Sequence, residues 1–286
     1  MQGFQKNLIH REVINLIFNE GVTVNFIKLI WEYRGFIIGN VKREFQSKYR
    51  NSLLGVTWSV LNPLSMIIVY TVIFSQVMRA KLPGVDSQYA YSIYICSGIL
   101  TWGLYADIIL RSQNMFLDNA NLIKKINFPK ICLPVTVIGG ALVNFSIIFS
   151  IFTLFLIVSD DFPGLAYFSL IPVIMIMMVM AIGLGIIVGV MNVFFRDVGQ
   201  FFGIVLQFWF WLTPIIYPSS ILPESLRPMI SYNPMASIVD ACQKILVNGI
   251  YPDWIALLYP ACLGLILCVI GLSLFRKHIG EMVDEL

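Results

Sequence analysis

Between Asp161 and Arg196 the chain carries no charged side chain, and between Asp197 and Glu224 it again carries none. An apolar run of about 20 residues or more is long enough to cross a bilayer as a helix, which satisfies its own backbone groups inside the lipid. Two such runs, separated only by the Arg196-Asp197 pair, leave little room for a soluble fold. They require a membrane protein with a tight charged elbow between two apolar segments. Composition agrees: 58% of the 286 residues are hydrophobic and only 12% are charged, about half the charged share of soluble domains. The mean hydropathy is +0.81.

Further apolar runs extend the pattern. Six spans are expected, near residues 58–78, 90–110, 131–158, 167–195, 199–217 and 255–275. Their lengths permit tilted crossings without fixing a tilt. The expected fold is therefore an all-α polytopic membrane protein. Residues 1–57 would form a cytoplasmic N-terminal segment, residues 58–275 the transmembrane domain, and residues 276–286 a cytoplasmic tail. No apolar signal-peptide core interrupts the charges of residues 1–57, so the first span is expected to act as the insertion signal.

Charge fixes the orientation. With the N-terminus inside, only Arg79, Lys81, Arg227 and Lys244 of the 19 Lys and Arg residues fall outside. The positive-inside rule then places both termini in the cytoplasm. Just before the first span, Ile37, Val41, Phe45 and Tyr49 recur every four residues with Ile38 beside them, opposite Lys42, Arg43, Gln46, Ser47 and Lys48. One apolar stripe against a basic face is the pattern of a helix lying in the membrane interface.

Two segments outside the spans are structured in expectation. The inner loop, residues 112–134, is long enough for a short helix and ends at Pro129 and Pro134. In the outer segment, residues 218–254, Asn233-Pro234 reads as N-cap and first helical residue. Ile238, Cys242, Ile245 and Leu246 then form one apolar face, and Asn248-Gly249 closes the helix. Short re-entrant helices in the outer leaflet are expected there, because irregular backbone at that depth needs cover from protein or water.

Enzyme chemistry has little support. No G-x-x-x-x-G-K-[ST] loop, H-E-x-x-H or G-x-S-x-G motif occurs, so the chain is not expected to hydrolyse ATP through a P-loop of its own. Cys96, Cys132, Cys242, Cys262 and Cys268 form no CxxC pair and read as small apolar residues. His10 and His278 lie near the chain ends with no ligand cluster around them, so no metal site is expected. Asp107 and Arg111, one helical turn apart, read as an interfacial ion pair. Mid-span polar groups are neutral, namely Asn144, Asn192 and Gln207, whereas a proton relay needs titratable ones. Gly185 and Gly189, with Gly183 ahead of them, allow close helix approach, by default within one subunit.

Aromatic residues are the remaining signal. Trp58, Tyr70, Phe74, Tyr91, Tyr94, Trp102 and Tyr105 accompany Phe201, Phe202, Phe208, Trp209, Phe210, Trp211 and Tyr217. Flat rings stack on the C–H faces of sugars while hydroxyl and indole N–H groups bond their edges. Interfacial aromatic belts and lipid-facing Phe explain any single member better, and the case for a sugar path rests on the aromatics collectively.

Five motifs in order resemble one family. They are L-G-V-T-W-S-V-L-N-P-L (residues 54–64), N-F-P-K with Leu133-Pro134, V-F-F-R-D-V (residues 193–198), T-P-I-I-Y-P (residues 213–218) and Y-N-P-M (residues 232–235). Together they resemble the permease subunits of ABC-2-type polysaccharide exporters for O-antigen, teichoic acid or capsule. The resemblance implies a homodimer working with two copies of a separate P-loop ATPase. ATP and Mg would sit on that partner, and this chain would bind no cofactor. It implies a bacterial inner membrane, a polyprenyl-diphosphate-linked polysaccharide as substrate, and no nucleic-acid partner. By position, ATPase coupling would fall to Lys42, Arg43, Asn121, Lys124, Lys125, Arg196 and Asp197. The glycan path, between first and fifth spans of two copies, would use Trp58, Tyr70, Phe74, Phe208, Trp209, Trp211 and Tyr217. Rival readings are an exporter of a small molecule, lipid or peptide, a membrane-embedded transferase, and an anchor that only recruits an ATPase.

Overall fold

The computed structural model describes residues 28, 30–49, 55–77, 82, 87–125, 129–218, 223 and 230–286. Residues 1–25, whose mixed sequence reads as a short surface helix, and most of the proline-rich stretch after Pro218 lie outside the described residues.

Among the described residues all regular secondary structure is helical, without strands. Helix α1 (Arg34–Tyr49) precedes α2 (Trp58–Tyr70), which runs on as a π-helical turn, Thr71–Val77. Helix α3 (Ala90–Asp118) is followed by the single turn and a half of α4 (Ala120–Lys125) and by α5 (Cys132–Val158). A 3-10 segment (Gly164–Ser169) leads into α6 (Leu170–Phe194), then come α7 (Asp197–Leu212), α8 (Pro234–Asn248) and α9 (Trp254–Glu285).

Five of these stretches are long and apolar enough to cross a membrane: Trp58–Ser75, Ala90–Asp118, Cys132–Val158, Gly164–Phe194 and Trp254–Glu285. The expected fifth span, residues 199–217, is different. It forms a helix of 16 residues, α7, which at 1.5 Å per residue reaches about 24 Å, short of the roughly 30 Å hydrocarbon core. Pro214 is the cause. It has no N–H for a helix ladder, and it drives the preceding residue out of the α region; Thr213 accordingly adopts φ −101° and ψ 132°. The other spans shift at their ends. Helix α3 continues through Ser112 to Asp118, so the expected inner loop begins about two turns later. Residues 276–285, expected as a tail, are helical and form the last turns of α9.

Helices α3 and α6 form the centre, each burying 61% of its most apolar stretch, whereas α2 and α9 bury 22% and α5 17%. Glycines set the spacing. A Cβ on Gly185 would come within 2.5 Å of Ser112 Cβ, and one on Gly189 within 2.6 Å of the Ser112 carbonyl. Gly183 faces α9 instead, where a Cβ would meet the Cys268 nitrogen at 2.6 Å. The glycine motif therefore seats α6 between α3 and α9 of the same chain, as small residues do where apolar lipid offers no drive to associate. Phe116 of α3 stacks on Phe275 of α9 at 5.2 Å between centroids. Thus the last turns of α9 lie at the same end of the bundle as Arg111 and α1.

Helix α8 is held as its sequence dictates. The Asn233 side chain accepts from the Met235 N–H at 3.1 Å, Pro234 takes the first turn, and Gly249 ends the helix in the left-handed region at φ 63°. Ile238, Cys242, Ile245 and Leu246 are all buried, packed towards α3, α6 and α9. Cys96, Cys132 and Cys242 are buried as expected of small core residues, while Cys262 is exposed.

Candidate functional site

The first part of the site is the Arg111 end of the bundle. On α1, Ile37 is buried and Val41 and Phe45 are half-buried, whereas Lys42, Arg43, Gln46 and Ser47 are exposed. Val41 lies against Gly139 of α5, where an added Cβ would sit 3.1 Å from Val41 Cγ2. Glu44 lies against Gly140 and accepts a charge-assisted bond from Arg111 Nη1. Arg111 Nε in turn donates to Asp107 Oδ1 at 2.8 Å. The expected Asp107–Arg111 pair is present, and Glu44 from a separate helix joins it.

The elbow between α6 and α7 has its own fastener. Asn192 is 2% exposed. Its Nδ2 donates to the Gln113 carbonyl at 2.9 Å and to Asn114 Oδ1 at 3.3 Å. Its Oδ1 accepts from the Gly199 N–H, also at 2.9 Å. The first turn of a helix leaves N–H groups without intrahelical partners, and here the side chain of Asn192 supplies one from the preceding helix. Sequence reading left Asn192 as a neutral mid-span group; its spacing of seven residues from Gly199 across the elbow was the available signal.

Beyond the elbow, Arg196 and Asp197 are exposed, as are Asn121 and Lys124 on α4. Ile123 is buried and anchors α4. The backbone of Lys125 belongs to α4, but its side chain lies outside the described residues. Lys42, Arg43, Asn121, Lys124, Arg196 and Asp197 thus all project from elements fastened around the last third of α3. Nearby, burial pulls the Lys130 ammonium below its ordinary pKa.

The aromatic candidates separate into three settings. Trp58 and Tyr70 line a cavity of about 660 Å³ between α2, α3 and α5, together with Asn62, Asn144 and Asp107. Phe74 follows in the π-helical turn, with its ring 6.3 Å from that of Tyr70 and 5.5 Å from that of Tyr91. Phe208 and Trp211 are 67% and 59% exposed and continue a stripe on α7 that includes Phe201 and Ile204. Trp209 faces the other way. Its ring meets Tyr105 edge-on at 5.5 Å and Trp102 at 6.1 Å, and its indole N–H donates to Asn233 Oδ1 at 2.9 Å. Tyr217 turns its hydroxyl onto the Trp211 carbonyl at 2.8 Å.

The non-helical stretch after α7 is covered by protein. Gln243 Nε2 donates to the Ile215 carbonyl at 3.2 Å and the Tyr91 hydroxyl to the Ile216 carbonyl at 3.0 Å. Tyr94 donates towards the Pro214 and Tyr217 carbonyls, and Asn233 Nδ2 bonds Thr213 Oγ1 at 3.0 Å. Irregular backbone inside a membrane protein needs such partners. Gly98 makes room for them, since a Cβ there would lie 2.8 Å from Gln243 Nε2. Neither Gln243 nor Tyr94 was singled out from the sequence for this work.

The architecture has named relatives. Residues 37–247 match the ABC-2 type transporter family. The chain is 33% identical over 237 residues to the O-antigen export system permease protein RfbA of Klebsiella pneumoniae, covering 82% of this chain and 88% of that protein. It is 28% identical over 265 residues to the protein of that name from Myxococcus xanthus, covering 92% of this chain and 100% of the relative. Identity to the polysialic acid transport protein KpsM of Escherichia coli is 21% over 247 residues, covering 85% and 93%. The family match spans most of the helices described above, from α1 through α8, and on this evidence the chain belongs to the ABC-2 type transporter family of membrane permeases.

Proposed function

We propose that the chain is the permease subunit of an ATP-driven exporter of a lipid-linked polysaccharide, O-antigen or a similar cell-surface glycan. The observation that carries this reading is the similarity, over 82% and 92% of the chain, to permeases named for O-antigen export. The substrate is a glycan on polyprenyl diphosphate, moved outward across the bacterial inner membrane. Two copies of the chain work with two copies of a separate P-loop ATPase that holds ATP and Mg.

In this reading the Arg111 end faces the cytoplasm, in keeping with the asymmetry of Lys and Arg, and α7 with the non-helical residues 213–217 completes its crossing. Lys42, Arg43, Asn121, Lys124, Lys125, Arg196 and Asp197 form the surface met by the ATPase. The exposed stripe of Phe208 and Trp211 lines the path where two copies meet, with Trp58, Tyr70 and Phe74 on the neighbouring helix of that path. Stacked rings let a glycan slide because they bind sugar faces without fixing a register. Helix α8 and residues 213–217 close the outer mouth.

Deletion of the gene tests the reading. Lipid-linked polymer should accumulate inside the cell, vanish from the surface and return with the wild-type gene. An unchanged surface glycan would shift the assignment to a small-molecule exporter, and loss of polymer from both places would point to synthesis.

A further inference from the structure

We propose that Arg111 is a mechanical joint: it carries movement of α1 to Asp107, and so to the wall of the intramembrane cavity between α2, α3 and α5. The inference rests on the reading above that α1 receives the ATPase stroke.

Three charged groups run in series from one helix to the cavity. Glu44 sits on α1, Arg111 and Asp107 one turn apart on α3, and Asp107 lines the cavity beside Asn62 and Asn144. Glu44 and Arg111 are separated by 67 positions in the chain, so the contact ties α1 to the central helix α3. The tie is close because α5 presents two consecutive glycines, and a Cβ on Gly140 would lie 2.9 Å from Glu44 Oε2 and 3.4 Å from Arg111 Nη1. Space for the joint is therefore built into a third helix.

A guanidinium suits this work and an ammonium does not. Its planar fork presents separate N–H groups, here Nη1 to one carboxylate and Nε to the other, in a fixed geometry. The triad holds two carboxylates to one cation. A shift of α1 must either take Glu44 off Arg111 or draw Arg111 away from Asp107. In the second case Asp107 loses its bond from Arg111 Nε, at a place where an acid within a span is costly without compensation; in the first, the guanidinium keeps Asp107 and gives up Glu44. The cavity wall and the basic surface of α1 are thereby linked by bonds that switch, where simple apolar packing would only slide.

The test uses the full permease–ATPase complex in proteoliposomes, with polyprenyl-diphosphate-linked glycan extracted from the source cells as probe. Arg111→Lys, Glu44→Gln and Asp107→Asn are compared for ATP hydrolysis, glycan export and melting temperature on the same preparations. The expected result is an assembled complex that still hydrolyses ATP, with export per ATP lowered roughly tenfold in Arg111→Lys and Glu44→Gln. Glu44→Asp, which keeps the charge, should recover part of the ratio. Export per ATP equal to wild type in stably assembled variants would overturn the joint. So would a fall in export that merely tracks a fall in melting temperature, the signature of a structural staple. A photoreactive side chain placed at Arg43 checks the underlying reading separately: no cross-link to the ATPase would remove α1 as the docking helix, whatever the export ratio shows.

Discussion

Replacing Asn192 with Leu removes the acceptor for the Gly199 N–H and the donor to the Gln113 carbonyl while keeping most of the side-chain volume. The two losses differ in size. The Gln113 carbonyl lies within α3 and loses one contact, worth about 0.6 kcal/mol on the average for side-chain bonds within membrane proteins. The Gly199 N–H belongs to the first turn of α7 and is left buried without a partner, a penalty of about 1–3 kcal/mol. Gly199 is itself buried, and its backbone approaches so closely that a Cβ would lie 3.0 Å from Asn192 Oδ1; solvent has no room to replace the lost bond. The sum is roughly 1.6–3.6 kcal/mol. At about 2–4 °C per kcal/mol for a chain of this order of size, the melting temperature in detergent should fall by about 3–14 °C. Ser150→Ala is the control, because its hydroxyl bonds the Ser146 carbonyl of its own exposed helical turn. Melting of Asn192→Leu within about 1 °C of wild type and of the control would refute the argument that this side chain holds the elbow.

Other consequences follow from the same geometry. Trp209→Ala should destabilise the protein by about 3–5 kcal/mol, as expected for removing a packed indole, with the loss read by thermal melting. Trp211→Ala, at an exposed ring, should stay within about 0.5 kcal/mol of wild type yet lower export; normal export would remove Trp211 from the path. Gly183→Ala forces a methyl onto the backbone of α9 and should cost about 1–3 kcal/mol. Gly39→Ala meets nothing within 4 Å and should be neutral or stabilising by up to about 1 kcal/mol; equal melting temperatures for the two would contradict the packing. Reversing both charges at Arg196 and Asp197 should leave ATP hydrolysis running without export, and normal export per ATP would take the elbow out of the coupling surface.

What the sequence made legible was whatever depends on local pattern. The apolar runs located every long helix, Asn233-Pro234 and Gly249 marked both ends of α8, and Asp107 with Arg111 announced its pair through one-turn spacing. What it hid depends on three-dimensional encounter. Hydropathy counts residues 199–217 as one run, because Pro214, Ile215 and Ile216 are apolar; only the backbone shows that the helix stops at Leu212. Glu44 looked like one more charge on a basic helix until α5 brought it to Arg111. Trp209 and Trp211 are two residues apart in the same aromatic run, so composition treats them alike. Helical geometry places them about 200° apart, one against Trp102 and Tyr105, the other outward. Asn192 read as one neutral polar group among several and Gln243 carried no signal, since their partners are mostly backbone groups of other elements.

Outward movement of a lipid-linked glycan is the central claim, and transport in inverted membrane vesicles measures it most directly. Vesicles containing the permease and its ATPase are given polyprenyl-diphosphate-linked glycan on their outer face, which corresponds to the cytoplasm. ATP should render the glycan resistant to an added glycan-degrading enzyme, and vesicles lacking this chain should leave it fully degradable. Glycan that stays degradable with ATP, in vesicles whose ATPase is active and bound, would contradict the account.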